Sequence, residues 1–225
     1  AGSLAISCRR RLALLAASHG IRPAEQLWLP LDAQDPVDDL EPDAILGTAG
    51  LADAAKERRW LERIVDAADV ATSDESKIAL LRRLLRRVKE PIIVFTEFRD
   101  TLARLETALS DLGRYICRLH GGMPTSERSI ALEQFRRGDS LLLATDAAAE
   151  GLNLHSRCRT VLHFELPWSP SRLEQRTGRV DRIGQRDTVH EIMLVAADTA
   201  ERLVLAPLAK RAARARRSVP HPLRL

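Results

Sequence analysis

The segment best suited to chemistry repeats arginine at every third position: QRTGRVDRIGQ, residues 175–185, contains Arg176, Arg179 and Arg182. Residues three apart lie along one face of an α-helix, so this spacing predicts a row of guanidinium groups on one helical face. Arginine is permanently charged, and its forked donors match phosphate oxygens and stabilise the charge on a phosphoryl group during transfer. The alternative is a solvated surface helix in which Glu174 and Asp181 form ion pairs with the arginines.

A second segment, ATDAAAEGLNLH at residues 144–155, follows an apolar run and is rich in small residues. Gly151 allows backbone amides to approach an anion closely. Thr145 and Asn153 are short polar side chains that can bond a phosphate or a sugar hydroxyl. The segment predicts a phosphate-binding or sugar-binding loop, although an ordinary strand-to-helix turn has the same composition.

Two further segments place polar residues directly after apolar runs. In RLHGGMPTSER, His120 follows one run and Arg128 lies in the first turns of the next predicted helix. In VFTEFRDT, Thr96 and Arg99 follow another run. Each segment taken alone is also compatible with a purely structural role.

Short apolar runs alternate with amphipathic stretches from residue 76 onward. The runs predict buried strands at 92–95, 115–119, 140–145, 160–165 and 189–195. The stretches between them predict helices at 76–89, 100–112 and 126–137, and further helices that start near Ser171 and Asp198. This alternation predicts an α/β fold with a parallel sheet and helices on both faces. Ligands of such sheets bind at the carboxyl ends of the strands, where the four segments lie.

The region before the sheet has a different character. Apolar spacing predicts helices at 4–18 and 51–71, separated by an acidic, proline-containing linker at 28–50. We therefore expect a small N-terminal helical segment at 1–73, the α/β domain at 74–200, and a C-terminal helix and basic tail at 201–225.

Charge is distributed unevenly. Residues 1–75 contain 8 basic and 14 acidic side chains, whereas residues 76–225 contain 27 and 17, so the net charges are −6 and +10. A basic domain favours a polyanionic partner such as nucleic acid. Cys8, Cys117 and Cys158 lack metal-ligand spacing, so no metal site or disulfide framework is expected and a reducing cytosol fits best. No apolar run approaches the ~20 residues of a membrane span, so no membrane partner is expected.

In their order along the chain, the four segments resemble motifs IV, IVa, V and VI of superfamily-two helicases: VFTEFRDTL, RLHGGMPTSER, ATDAAAEGLNLH and EQRTGRVDRIGQ. The ending RIGQ resembles the Swi/Snf-like branch, and the whole looks closest to bacterial Swi/Snf-like ATPases of the type that recycles RNA polymerase. The resemblance covers about residues 74–196 and implies the second, C-terminal RecA-like lobe of such a motor. Residues 1–73 would then be a bridge or small helical insertion between the two lobes.

The resemblance also implies roles for ten residues. Arg179 and Arg182 would be catalytic and reach the γ-phosphate of ATP, with Arg182 as the arginine finger. The residues that would contact ATP are Gln175, Gly151 and Asn153. The residues that would line the nucleic-acid backbone are Thr96, Arg99, His120, Arg128 and Thr145. No residue is implied as a metal ligand.

The phosphate-binding loop of such motors is absent from the sequence. No G-x-x-x-x-G-K-[ST] or D-E-x-H string occurs, and none of the four lysines follows a glycine-rich loop. In the superfamily that the chain resembles, these parts belong to the first lobe, which would hold most of the ATP and Mg²⁺. We therefore expect an ATP-dependent helicase or translocase as the full-length protein, and no ATP hydrolysis by this chain alone.

The implied partners are nucleic acid, with double-stranded DNA favoured, and the first RecA-like lobe of the same protein. RNA polymerase or another DNA-bound protein would be the remodelled partner, in the cytoplasm and nucleoid of a bacterium. The alternative is a non-catalytic, helicase-like docking module that binds protein or nucleic acid. The retained arginine pair argues against it, since a scaffold has no use for such a pair. The missing phosphate loop disfavours a free nucleotide-binding domain.

Overall fold

A computed structural model describes residues 2–17, 46, 50–72, 75–149, 151–167 and 169–196. The chain divides into two compact units at the junction of Glu75 and Ser76. Within the described ranges, no helix combines the length and apolar character needed to cross a membrane. Most of the predicted acidic linker, the helix expected near Asp198 and the basic tail lie outside the described residues.

Within the described part of the first unit, two helices have defined bounds, α1 (Gly2–Ala17) and α2 (Ala54–Thr72), and they confirm the two predicted helices. They pack against each other with Ala5, Cys8 and Ala68 buried. Arg11 Nε donates to Glu57 Oε1 at 2.7 Å, and this hydrogen bond holds the pKa of the Glu57 carboxyl below its usual value. The helix pair is thus closed by one largely buried ion pair as well as by small apolar side chains.

The second unit alternates helices and strands. In chain order, its elements are α3 (Ser76–Arg87), β1 (Ile92–Thr96), α4 (Arg99–Leu109), a 3₁₀ turn (Ser110–Leu112), β2 (Tyr115–Leu119), α5 (Thr125–Arg137), β3 (Ser140–Thr145), α6 (Asp146–Ala149), β4 (Thr160–His163), α7 (Pro170–Thr177) and β5 (His190–Met193). The strands form one five-stranded sheet in the order β2-β3-β1-β4-β5, and every neighbouring pair is parallel. The predicted parallel α/β fold is confirmed.

Both faces of the sheet are buried. Successive side chains of a strand point to opposite faces, so each strand contributes to the core on both. On one face, Ile93 and Phe95 of β1 belong to a core cluster with Phe135 of α5. On the other face, Ile92 and Val94 pack in a second cluster with apolar residues of α3 and α4. This two-sided burial explains why the central strands are continuous apolar runs.

The structure differs from the predicted elements mainly at their ends. The fourth strand ends at His163 and the fifth spans only His190–Met193. A one-turn helix, α6, follows β3 where a small-residue loop was predicted. Alanine has the highest helix propensity, so DAAA forms a helical turn as soon as the strand ends.

Candidate functional site at the carboxyl edge and the arginine turn

The three arginines do not share one helical face, so that prediction is wrong. Helix α7 ends at Thr177, and only Arg176 lies on it. The chain then continues in successive turns, in which the amides of Val180 and Asp181 both donate to the Thr177 carbonyl. The buried Val180 side chain anchors this segment in the core. We call residues 178–185, which carry Arg179 and Arg182, the arginine turn.

Arg176 is buried, with 2% of its side chain exposed. Its Nε and Nη2 donate to the two carboxylate oxygens of Asp146, at 2.5 and 2.9 Å, and its Nη1 donates to the Glu165 carbonyl at 2.8 Å. The guanidinium also lies over the Phe95 ring. Burial is tolerated because the charge is paired in bidentate geometry and Nη1 has a backbone acceptor.

Arg179 and Arg182 differ from Arg176 both in exposure and in hydrogen bonding. Arg179 is partly exposed and Arg182 is exposed. Among the residues that the structure describes, neither guanidinium forms a hydrogen bond or an ion pair. The alternative of ion pairs with Glu174 and Asp181 is therefore not formed in the described part of the chain. Two fixed positive charges remain available to an anion.

The segment that contains Asn153 lies beside the arginine turn. The Leu154 amide donates to the Arg179 carbonyl at 3.0 Å, which joins the two segments directly. Gly151 has φ of 74°, a left-handed conformation that favours glycine. The exposed Asn153 side chain contacts His155, with Oδ1 and Nδ1 2.5 Å apart. The structure thus brings Asn153 to the arginine turn, whereas Gln175 is exposed on α7.

A second group of predicted site residues lies at the carboxyl edge, the edge of the sheet where β1 to β4 end. Thr96 and Thr145 end β1 and β3 opposite each other in the parallel register, and both are buried. Thr96 Oγ1 donates to Glu165 Oε2 at 2.6 Å. Thr145 Oγ1 is buried and has no hydrogen-bond partner in the described part of the chain. A buried hydroxyl without a partner is uncommon and indicates a place where a further polar group could bind.

The remaining predicted nucleic-acid residues surround the same edge. Arg128 Nη2 donates to the Ala148 carbonyl at 2.8 Å. His120 Nδ1 is buried without a hydrogen-bond partner among the described residues, and burial together with the Arg99 charge lowers its pKa. Arg99 lies against Gly122, where φ is 49° and a Cβ would come within 2.9 Å of the guanidinium. The roles of these residues in nucleic-acid binding stay predictions.

Sequence reasoning missed three carboxylates that follow the strand ends: Glu97, Asp146 and Glu165. Besides Thr96, the Glu165 carboxylate accepts hydrogen bonds from the Glu97 amide and from Thr101 Oγ1. Burial raises the pKa of Glu97 to about 7, the nearby Arg176 opposes that rise, and the neighbouring carboxylates add to it. The available signal was positional, because each acid comes within two residues of the end of a strand.

The described residues offer little for a metal ion. Among them, no three His, Cys, Asp or Glu side chains are grouped so that they could hold one. A cavity of about 470 Å³ lies at the opposite, amino edge of the sheet. Its walls include Glu90 and Pro91 before β1, Arg159 before β4, and Gly184 and Gln185 of the arginine turn. The arginine turn therefore reaches from the end of α7 towards the amino edge.

Comparison with known proteins shows which proteins the second unit resembles. Residues 76–184 match the family described as helicase conserved C-terminal domain. Over 142 residues, the chain is 32% identical to the uncharacterized ATP-dependent helicase YqhH of Bacillus subtilis, covering 63% of this chain and 25% of that protein. It is 35% identical over 136 residues to the probable ATP-dependent DNA helicase CHR23 of Arabidopsis thaliana, covering 57% and 13%. The chain thus spans a quarter or less of these two relatives.

The fold comparison agrees with the sequence comparison. The Escherichia coli DEAD-box protein SrmB, in a structure bound to the regulator of ribonuclease activity A, superposes with a TM-score of 0.55 at 29% identity. That match covers 67% of this chain and 84% of the SrmB chain. The second unit is a RecA-like α/β domain. Its residues 76–184 resemble the C-terminal lobe of superfamily-two helicases.

Proposed function

We propose that this lobe works in an ATP-dependent nucleic-acid translocase or helicase, where Arg179 and Arg182 contact the ATP phosphates. The observation that carries the proposal is the contrast within one motif. Arg176 is buried and bonded to Asp146 and to the Glu165 carbonyl, whereas Arg182 is exposed and unpaired among the described residues. A guanidinium held on a turn anchored by Val180 is suited to an anion that approaches from outside the lobe.

The fit to ATP is a partial site, completed by another lobe. Asn153 lies beside the arginine turn and is a suitable partner for a sugar hydroxyl, while Gly151 gives the loop its left-handed conformation. The sequence contains no glycine-rich loop with a following lysine for the β and γ phosphates. ATP would supply the transferable phosphoryl group, and the first RecA-like lobe would hold most of its phosphates and the Mg²⁺ ion.

Nucleic acid is the proposed polymer, bound at the carboxyl edge. Support comes from the net charge of +10 over residues 76–225 and from Thr145 Oγ1 and His120 Nδ1, which are buried without a hydrogen-bond partner among the described residues. The matched proteins include ones named as DNA helicases and ones named as RNA helicases. The RIGQ ending favours the Swi/Snf-like branch and hence double-stranded DNA. The proposed partner that the motor remodels is RNA polymerase or another DNA-bound protein, in the cytoplasm of a bacterium.

The test joins this lobe to its first lobe in the full-length protein and compares Arg182→Ala with the unchanged protein. Loss of an arginine finger lowers the ATPase rate by on the order of 10³-fold or more, whereas binding to a double-stranded DNA probe should be retained. Arg83→Ala is the matched control, because Arg83 is exposed on α3, away from the site. An unchanged ATPase rate in Arg182→Ala would instead support the non-catalytic docking module.

A further inference from the structure

The Gln185 side chain forms hydrogen bonds to both the Asn153 segment and the arginine turn. Its side-chain Nε2 donates to the carbonyls of His155, Cys158 and Val180, at 3.0, 3.1 and 3.3 Å. A primary amide has two N–H groups, so three acceptors share two donors. The Oε1 atom accepts a hydrogen bond from the Asp187 amide at 3.1 Å. Both ends of the Gln185 amide are therefore used for backbone groups.

The backbone of Gln185 closes the turn that carries Arg182. Its amide donates to the Arg182 carbonyl at 2.9 Å, which makes residues 182–185 a four-residue turn. Gly184, the third residue of that turn, has φ of 102°, as a type II turn requires. Arg182 is thus the first residue of a turn whose last residue is tied on both sides.

The three acceptors belong to two separate segments. The carbonyls of His155 and Cys158 follow Asn153, and that of Val180 lies in the arginine turn. The Cys158 and Val180 side chains are both buried in the same core cluster. One amide therefore fixes the end of the arginine turn to two points that the core holds in place.

We propose that Gln185 is a positioning residue, which holds the arginine turn against the Asn153 segment so that Arg182 and Asn153 face the same nucleotide. This inference rests on the proposed function of Arg182. The amide is the required group, since a carboxylate of equal length would place negative charge against three carbonyls and donate nothing. Gln185 itself need not touch ATP, because it acts through the placement of Arg182.

A double-mutant cycle in the full-length, two-lobe protein tests this role. The variants are Gln185→Ala, Arg182→Ala and the pair together, with ATPase kcat and KM measured separately. Misplacing a reacting group by about 1 Å costs on the order of 10²-fold, so Gln185→Ala should lower kcat by about 10- to 100-fold with little change in KM. In the Arg182→Ala background, the same change should have no further effect on kcat. Gln134→Ala, on α5, is the control for loss of a glutamine amide.

The outcomes separate this inference from the proposed function. If Arg182→Ala leaves ATPase unchanged, the proposed function fails and Gln185 loses its target. If Arg182→Ala abolishes ATPase but Gln185→Ala does not lower kcat, only the positioning role fails. Losses that multiply in the double variant also overturn it, because Gln185 would then act independently of Arg182.

Folding is the remaining control. Thermal unfolding of each variant shows whether the lobe is intact at the assay temperature. If Gln185→Ala does not fold, Gln185→Met keeps a similar side-chain length, lacks the two N–H donors and adds no charge, so it replaces alanine in the cycle. If neither variant folds, Gln185 is needed for the fold as a whole, and a specific role in placing Arg182 is overturned.

Discussion

Arg176 and Arg182 lie six residues apart in one motif and have opposite environments. Arg176 is buried at the carboxyl edge and shares a bidentate pair with Asp146, while Arg182 is exposed on the arginine turn without a partner in the described part of the chain. The first joins the ends of strands and the second is available to a ligand. Two arginines of one motif can therefore have different roles, one structural and one in binding.

The difference comes from where α7 ends. Arg176 is on the last full turn of the helix, over Phe95 and next to Asp146, so its charge is satisfied inside the domain. Three residues later the chain has left the helix, and Val180 fills the core position instead of an arginine. One helix end thus decides which guanidinium is enclosed and which one is free to act.

The largest expected effect is on Arg176. Arg176→Ala leaves the Asp146 carboxylate and the Glu165 carbonyl without their main partner, and breaking a buried pair in this way costs about 3–5 kcal/mol. Urea unfolding of this chain measures the change in the free energy of unfolding. Arg182→Ala is the matched control, for which a change within about 0.5 kcal/mol is expected. Equal destabilisation by the two variants would remove the contrast between them.

The next effect concerns pH and the carboxyl edge. Because the folded-state pKa of Glu97 is raised from 4.5 to about 7, folding favours its protonated form. Its contribution to stability is complete below about pH 4.5 and is lost as pH rises through about 7. A shift of this size corresponds to at most about 3 kcal/mol. Glu97→Gln, which mimics the protonated acid, should flatten the stability profile over that window.

The control for this pH effect is an acid away from the edge. Glu133→Gln, on the exposed side of α5, removes a carboxylate that pairs only with Arg137 in the described residues. Its stability profile between pH 5 and 8 should run parallel to that of the unchanged chain. If Glu97→Gln and Glu133→Gln gave the same profile, the pKa of Glu97 would not be raised in the folded chain.

A smaller loss is expected at Glu165. Its carboxylate accepts hydrogen bonds from Thr96 Oγ1, Thr101 Oγ1 and the Glu97 amide, so each of these three partners is a donor. In Glu165→Gln, one oxygen becomes an NH₂ group that faces a donor, which costs about 1–3 kcal/mol. Urea unfolding at pH 8 is the measurement. No loss would mean that the two threonine hydroxyls can turn to other acceptors.

Most of the fold could be predicted from the sequence because both faces of the sheet are buried. The runs IIVF and SLLLAT are short, apolar and separated by amphipathic helices, which is the pattern of a two-sided parallel sheet. Strand ends were less predictable, since pairing with a neighbour decides where a ladder stops. The last two strands are shorter than their apolar runs, because β4 pairs with β5 over only four residues.

The kind of site could be predicted from the sequence, but not which arginine is buried and which is exposed. Residue types and spacing indicated which arginines could bind phosphate, but the partners of Arg176 come from distant parts of the sequence. Asp146 lies 30 residues before it and the Glu165 carbonyl 11 before it. Only the packing of α7 on the carboxyl edge brings them together. The hydrogen bonds of the Gln185 side chain could not be predicted for the same reason, since its acceptors lie up to 30 residues away.

The smallest effect is expected at the tip of the arginine turn, where Ile183 is fully exposed between Arg182 and Gly184. Ile183→Ala removes no buried contact, so the free energy of unfolding should change by no more than about 0.5 kcal/mol. Val180→Ala, three residues earlier, removes a buried side chain and should cost about 2 kcal/mol. Urea unfolding of both variants compares the anchored and the free end of one turn. A substantial loss in Ile183→Ala would mean that the tip is packed in solution, and that Arg182 beside it is less accessible than its exposure indicates.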